Sequence, residues 1–581
     1  MLKKLLLTSL IILCISSPFS VNAQDWVSKM NDPNVNFYEV QNAFNKYFAK
    51  KDRAIERAKK RALKRKGEEL QEEEFEVPGY FQYKRWETFM SPRVGPNGER
   101  FDPSTPYREM ERYKQNYGTF NSGNWHLLGP VSAVPLNGNA GRLTFVRFDP
   151  TNSNIIYVGA PAGGLWKSTD GGNTWSSNTD QLAQVIGCTD IAIDPTNTNI
   201  MYLATGDGDA GDTYSVGVLK STDGGATWNT TGLSYYMANY RQISKILIDP
   251  NNNNTILVAT SSGVYRSTDA AATFTQTLAG SFKDMEFKPG DANTVYVCGT
   301  EFYKSTNNGQ GFTKITSGLP VASNVSRMAI AVSPADPAYV YMIVGLPAPN
   351  YGTEGFYKST NSGTSFTKPS TPALGTQQWY DLAIAVSPTT TNEIILGGQT
   401  DFLRSTNGGT SWTQNGGTTH VDYHDIVFTN ASTYFIVSDG GVFKTTNSGA
   451  SWSDLSDGLQ IAEMYGLGQS ASNENLIIQG WQDNGTNKYT GTGWTKILGG
   501  DGMLCFIDWN NDQNMWAEYY NGAFQKSTNG GNSFSGATSG ITETGAWVTP
   551  WIQDPITPSL LYSGFVNVWK STNGGNSWTK I

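Results

Sequence analysis

From about residue 124 the chain consists of short runs in which apolar and polar positions alternate, separated by turns rich in Gly, Asn and Asp. TFVRFDP, NIIYVGAP, GLWKST and TWSSN, read in order from Thr144, are β-branched or aromatic runs of strand length. Four in succession predict a four-stranded antiparallel sheet with one face on a core. The start of the chain follows other patterns. Lys3 and Lys4 precede an apolar run from Leu5 to Ile15, and small residues stand at Val21 and Ala23. This predicts a cleaved N-terminal signal peptide over 1–23 and a secreted or cell-surface protein. No later run is apolar enough to cross a membrane as a helix. Residues 24–76 predict a charged helical or partly disordered arm, basic from Lys50 to Lys66 and acidic from Glu68 to Glu76. Residues 77–123, aromatic and punctuated by Pro and Gly, predict an ordered extension with no core of its own.

Within 124–581 the strand pattern repeats. KSTDGGNTW at 167–175 recurs as KSTDGGATW, RSTDAAATF, KSTNNGQGF, KSTNSGTSF, RSTNGGTSW, KTTNSGASW, KSTNGGNSF and KSTNGGNSW, the last at 570–578. A degenerate copy, TNKYTGTGW, fills 486–494. The copies start 38 to 54 residues apart, apart from one interval of 82 that holds the degenerate copy. That period is the mark of propeller blades. In each turn Asp170 or Asn407 is expected to bond an N–H two residues on, Gly to supply the left-handed backbone, and the final aromatic to pack between sheets. The expectation is an all-β propeller of about ten four-stranded blades, as one ten-bladed ring or as parts of two seven-bladed rings. NWHLLGP at 124–130 reads as a fourth strand without its first three, so the natural protein is expected to close loosely or to continue past Ile581.

Composition narrows the function classes. With 42 Lys+Arg against 50 Asp+Glu the net charge is −8, which excludes a basic nucleic-acid footprint over the whole protein. Four cysteines do not make a disulfide scaffold. Cys188, Cys298 and Cys505 lie in apolar runs and read as buried free thiols.

The chemistry is expected on the face opposite the repeated turns. His420, Asp422 and His424 form H-V-D-Y-H at the start of a first strand, where period-two alternation puts them on one face. Two of the three histidines of the chain are here. Asp439 in SDGGVF, then Trp481, Gln482, Asp483 and Asn484 in WQDNGT, then Asp501 in GGDGM, follow on contiguous units. His420, Asp422 and His424 can bind a divalent cation, calcium or zinc. Asp439, Asp483 and Asp501 can supply a general acid and base. His420, Asp422, His424, Gln482, Asn484 and Trp481 can bind ligand, and Trp379, Tyr380 and Tyr465 can stack on sugar rings or pack in the core. The acidic loop TGDGDAGDTY at 205–214 is a calcium site or a mobile loop.

The Ser-x-Asp/Asn-x-Gly-x-x-Trp repeat resembles the Asp-box (BNR) family, whose propellers include sialidases, xyloglucan-degrading glycosidases, sortilin-type peptide receptors and photosystem assembly factors. The resemblance covers residues 164–578 and implies the fold more than the activity. Sialidases carry Arg-Ile-Pro and an arginine triad; this chain has no Arg-Ile-Pro, and Arg142 and Arg241 complete no triad. In the xyloglucan-degrading family one catalytic Asp lies in a Thr-Asp-x-Gly-Gly loop. Here that loop is Ala160, Pro161, Ala162, Gly163, Gly164, with Pro161 at the Asp position, whereas the second Asp has a counterpart in Asp439. The ensemble of the Tyr83–Arg93 preface, WHLLGP, HxDxH, DGG, QDNG and GDG resembles large secreted Bacteroidetes surface proteins, many exported by the type IX system and described as BNR-repeat glycosyl hydrolase-like or sortilin-like. These resemblances imply a propeller that binds a polysaccharide, peptide or protein ligand, or else a glycoside hydrolase with Asp acid and base.

Overall fold

A computed structural model describes residues 25–49, 79–118, 127–129, 140–182, 187–211, 213–348 and 350–581. The expected signal segment 1–23 and most of the charged stretch lie outside the described residues. No helix among the described residues is long and apolar enough to cross a membrane.

The chain divides into two compact units, Met1–Phe101 and Asp102–Ile581. In the first, helices at Asp25–Asn31, 37–49 and Tyr80–Met90 share an aromatic core of Trp26, Phe44, Tyr47 and Tyr83. Phe44 and Tyr83 stack with ring centroids 3.6 Å apart. The expected boundary at residue 76 is thus crossed by a common core. The helices before and after the charged stretch each carry an aromatic stripe too narrow to bury alone, and they bury it together.

The second unit opens with a helix, Thr105–Tyr117, and continues as ten sheets of four antiparallel strands, each in simple meander order. These blades span 145–177, 188–234, 243–279, 284–315, 327–370, 383–414, 423–454, 464–498, 506–536 and 551–580. The first strands of blades 1 to 7 pack side by side in sequence, and the first strand of blade 7 packs against that of blade 1. Ala140 N–H donates to the Gly440 carbonyl (3.0 Å) and Leu143 N–H to that of Ser438 (3.1 Å), so the lead into blade 1 runs along blade 7. Blades 1 to 7 therefore close a seven-bladed ring, and blades 8 to 10 form a second arc. Of the two expected arrangements, the single ten-bladed ring is the one the packing excludes.

The repeated turn explains this closure. In blades 6, 7 and 10 its final tryptophan donates to the outer strand region of the preceding blade. Trp412 reaches Ser370 Oγ (3.0 Å), Trp452 the Asn415 carbonyl (3.2 Å) and Trp578 that of Ala537 (2.7 Å). Trp175 of blade 1 reaches the Leu455 carbonyl (2.8 Å), so blade 7 stands where a preceding blade should. Trp494 of blade 8 reaches back to the Leu128 carbonyl (3.2 Å), not to blade 7. Leu128 thus supplies the backing that blade 8 lacks in the ring; it lies in the WHLLGP motif expected as a fourth strand, of which the described residues 127–129 form no strand. The motif's cation points the other way: Lys167, Lys220 and Lys304 donate to turn carbonyls of the next blade.

Between blades the core is dense. Gly409 sits so close to Phe356 that a Cβ would come 2.0 Å from its ring, and its φ of +84° suits only glycine there. Ring and arc share one cluster, with Val158, Val442, Leu459, Ile461, Trp481 and Trp494 buried together. Each such side chain contributes roughly 1.5–3 kcal/mol of burial, enough to hold the two parts in register.

Candidate active site

The inner strands of the ring surround a cavity of about 410 Å³. Arg147, Lys245, Asp284, Glu286 and Asp425 line one side, and Ala329, Ala331, Ala383 and Ala385 line another. The loop after the second strand of blade 2 reaches over one end. Lys283 Nζ donates to the Gly208 carbonyl. Asp209 Oδ1 pairs with Arg327 (2.8 Å), and Asp207 Oδ2 with Arg142 (2.9 Å). Of the loop 205–214, expected as a calcium site or a mobile segment, these two carboxylates are thus turned inward onto arginines.

From that cap a buried polar chain runs across the ring. His424 Nδ1 meets Asp209 Oδ2 (3.2 Å), and its Nε2 meets Asp439 Oδ1 (2.8 Å). Tyr380 Oη donates to Asp439 Oδ2 (2.8 Å) and accepts from Arg142 Nη1 (3.1 Å). Burial disfavours the imidazolium, but the carboxylates on both nitrogens outweigh it and raise His424 to about 9. Burial also opposes ionisation of Asp439, yet His424, Arg142 and the Tyr380 hydroxyl hold it below its ordinary value. Asp439, expected to be catalytic, is therefore a buried carboxylate whose oxygens are already engaged, 1% exposed.

Beside this chain stands a group that the sequence reading passed over. Asp381, at the start of blade 6, is fully buried and faces Asp422 within hydrogen-bonding reach. Burial, then Asp422, then Asp439 push the Asp381 carboxyl well above the usual range. In the sequence it is one acidic residue in WYDLAIAV, with its partner a blade away. The signal available was its place: an Asp just ahead of an inner strand, as in H-V-D-Y-H.

The expected alternation of His420, Asp422 and His424 does not hold. The strand begins only at Tyr423, and Asp422 has a φ of +60°. A left-handed residue breaks the period of two. His424 turns into the ring, while His420 Nε2 meets the Asp483 carbonyl of blade 8 (3.1 Å). The three side chains do not converge, and no group of three His, Cys, Asp or Glu among the described residues is placed to hold a metal ion.

On blade 8 the WQDNGT loop is braced from both sides. Asp483, at φ +57°, donates its N–H to Asp501 Oδ1 (2.8 Å). Asn484 Nδ2 donates to the Asp439 carbonyl (3.0 Å), and Tyr465 Oη to Gln482 Oε1 (2.7 Å). Asp501 and Asn484 are buried; Gln482 and Asp483 are half-buried. Trp481, expected to bind ligand, is 1% exposed inside the shared core and leaves no face for a sugar ring. Tyr380 is buried in the polar chain, whereas Trp379 and Tyr465 are half-buried. Arg142 is buried and Arg241 exposed, so they form no common anion site. Pro161 offers only its carbonyl, which accepts from Thr213 Oγ1 (2.9 Å).

The assembled geometry has two half-buried carboxylates, Asp422 and Asp483, on adjacent blades where ring meets arc. Each sits on left-handed backbone, and each is braced by a buried Asp, since Asp439 N–H donates to the Asp422 carbonyl (3.3 Å). His420 links their two loops.

No family model matches the chain. A xyloglucanase of Acetivibrio thermocellus is 30% identical over 154 residues, 25% of this chain and 18% of the relative. A xyloglucanase of Hypocrea jecorina is 26% identical over 155 residues, with the same shares. The matched region thus spans less than a fifth of these curated relatives. Among solved structures, an ancestral GH74 enzyme superposes with a TM-score of 0.58 at 17% identity, over 79% of this chain and 71% of that one. That likeness shows a shared β-propeller fold.

Proposed function

We propose that this protein is a secreted Asp-box β-propeller glycoside hydrolase that cleaves a polysaccharide at the junction of ring and arc. The observation that carries the reading is the His420–Asp483 link (3.1 Å), which joins the loops bearing the two half-buried carboxylates. A pair of carboxyl groups is what glycoside hydrolysis requires, one as acid and one as base. Asp483 and Asp422 take these roles; Asp439 and Asp501 hold them in place. Similarity to two xyloglucanases supports a β-glucan chain as substrate.

Pro161 favours a second reading, in which the same junction holds a glycan or peptide without cutting it, because a proline does no acid or base work. Incubation with plant, algal and host polysaccharides separates the two. New reducing ends that disappear in Asp483→Asn and Asp422→Asn support hydrolysis. Depletion of protein onto insoluble glycan, with no new ends, supports the binding reading and overturns hydrolysis.

A further inference from the structure

We infer that Arg142 is the positioning residue of the junction, one guanidinium that holds the Asp422 loop of the ring and the Asp483 loop of the arc in a single arrangement. The catalytic half of this rests on the hydrolase reading; the bridge itself does not. In the sequence Arg142 is only an arginine without a triad. In the fold it stands at the seam. Its neighbours Ala140 and Leu143 bond to blade 7. Gly141, at φ +129°, is pressed against the lead into blade 8, where a Cβ would come 2.3 Å from the Ile461 carbonyl oxygen. The Arg142 side chain is 3% exposed, so water does not compete for its three nitrogens. They diverge to three elements. Nη2 meets Asp207 Oδ2 in the cap from blade 2 (2.9 Å), and Nη1 donates to Tyr380 Oη ahead of blade 6 (3.1 Å). Nε lies 3.8 Å from Oε1 of Glu463, the residue just before blade 8.

Two of these arms lead to the proposed carboxylates. On the ring side Tyr380 Oη donates to Asp439 Oδ2 (2.8 Å), and the Asp439 N–H holds the Asp422 carbonyl (3.3 Å). On the arc side the Glu463 carbonyl accepts the N–H of Gln482 (2.8 Å), the neighbour of Asp483. The loops also touch directly, through His420 on the Asp483 carbonyl and Asn484 on that of Asp439. Arg142 is the charged group that stands behind both. The third arm, on buried Asp207, keeps the guanidinium paired away from water. A planar fork with donors in fixed directions suits this place. A lysine, one ammonium on a flexible stem, can keep Asp207 but cannot span Tyr380 and Glu463 together. The placement of acid relative to base is one coordinate, so cutting the bridge at either link loses the same thing.

Glu463→Gln removes the charge at one link and leaves Arg142 on Asp207 and Tyr380. Arg142→Lys keeps a cation for Asp207 and loses the fork. The wild type, both variants and their double are compared by kcat and KM on xyloglucan. Amide hydrogen exchange is followed at Asp422 and Asp439 on the ring side and at Gln482 and Asp483 on the arc side. Each single variant should lose at least about tenfold in kcat with KM within about twofold. The double should fall no more than about twofold below the worse single, since both cut one bridge. Exchange should rise on both sides in each single variant, although Glu463 touches the arc side alone. Four results overturn the bridge: wild-type kcat and exchange in Glu463→Gln, a raised KM with kcat unchanged, losses that multiply in the double, or exchange that rises in Glu463→Gln only at Gln482 and Asp483. If Arg142→Lys does not fold, Glu463→Gln decides by whether its effect crosses the seam. If the wild type leaves xyloglucan uncut, the reading of a β-glucan hydrolase falls, and exchange still decides the bridge.

Discussion

A hydroxyl, of serine in eight turns and of Thr445 in blade 7, is the hub of the repeated turn. Ser405 Oγ accepts the Gly409 N–H (2.9 Å) and donates to Asn407 Oδ1 (2.9 Å). The acidic or amide side chain reaches N–H groups three and four residues on, not two as its turn sequence suggested. Asp170 takes the Thr174 N–H (2.9 Å), and Asn407 that of Ser411 (3.0 Å). The Asp turns pair with Thr at that fourth position, as in Asp170 and Thr174 (2.7 Å). Five of the six Asn turns pair with Ser, to which the amide donates, as in Asn407 and Ser411 (2.8 Å); Asn307 instead has Gly311 there, whose N–H donates to Asn307 Oδ1 (3.0 Å). The hydroxyls of Thr174, Thr227 and Thr273 thus donate to carboxylates, and those of Ser365, Ser411, Ser451, Ser533 and Ser577 accept from amides. Ser405→Ala leaves a buried N–H without its acceptor and should cost about 1–3 kcal/mol in urea unfolding. Asn407→Asp, at an exposed position, should cost well under that.

His424 sets a second expectation at this scale. Its pKa, raised to about 9, means that its stabilisation is complete below pH 6.5 and is lost as pH rises through about 9. The shift corresponds to roughly 3 kcal/mol. His424→Gln should lower the unfolding free energy by about that much at pH 6 and by much less at pH 10. An equal loss at both pH values would show that the imidazole acts as a neutral spacer.

At the scale of elements, strand content and blade repeat were legible because alternation and the turn motif are local signals. The ring size was not. Every repeat ends in an aromatic, Trp or Phe, and which blade backs it depends on the angle accumulated around the ring. Trp175 marks the closure only through Leu455, 280 residues away in the chain. Trp175→Ala and Trp412→Ala should then each cost about 3–5 kcal/mol, since a large aromatic is lost from a blade interface in both. A neutral Trp175→Ala beside a costly Trp412→Ala, in the same unfolding experiment, would mean that blades 1 and 7 do not meet. The N-terminal helices were half legible. Their helix-forming composition was plain, but their common core was hidden by the charged stretch between them.

At the scale of the whole second unit, the ring and arc share a core, and the two carboxylate loops meet where they join. HVDYH, SDGG, QDNG and GDG follow one another on contiguous units in the sequence, and the structure brings these loops into contact. The sequence reading misjudged which side chains reach outward. One left-handed residue, Asp422, turned His424 into the ring, and the ionic demand of Arg142 and Arg327 drew Asp207 and Asp209 inward. Those are long-range electrostatic choices between blades, and no spacing in the chain records them. The most direct test of the account is proton NMR of a β-glucan chain such as xyloglucan incubated with the wild type and with Asp483→Asn. New anomeric signals from reducing ends in the wild type, reduced at least about 100-fold in Asp483→Asn, are the expected result. Spectra unchanged with the wild type, or cleavage that Asp483→Asn leaves intact, would contradict a hydrolase built at this junction.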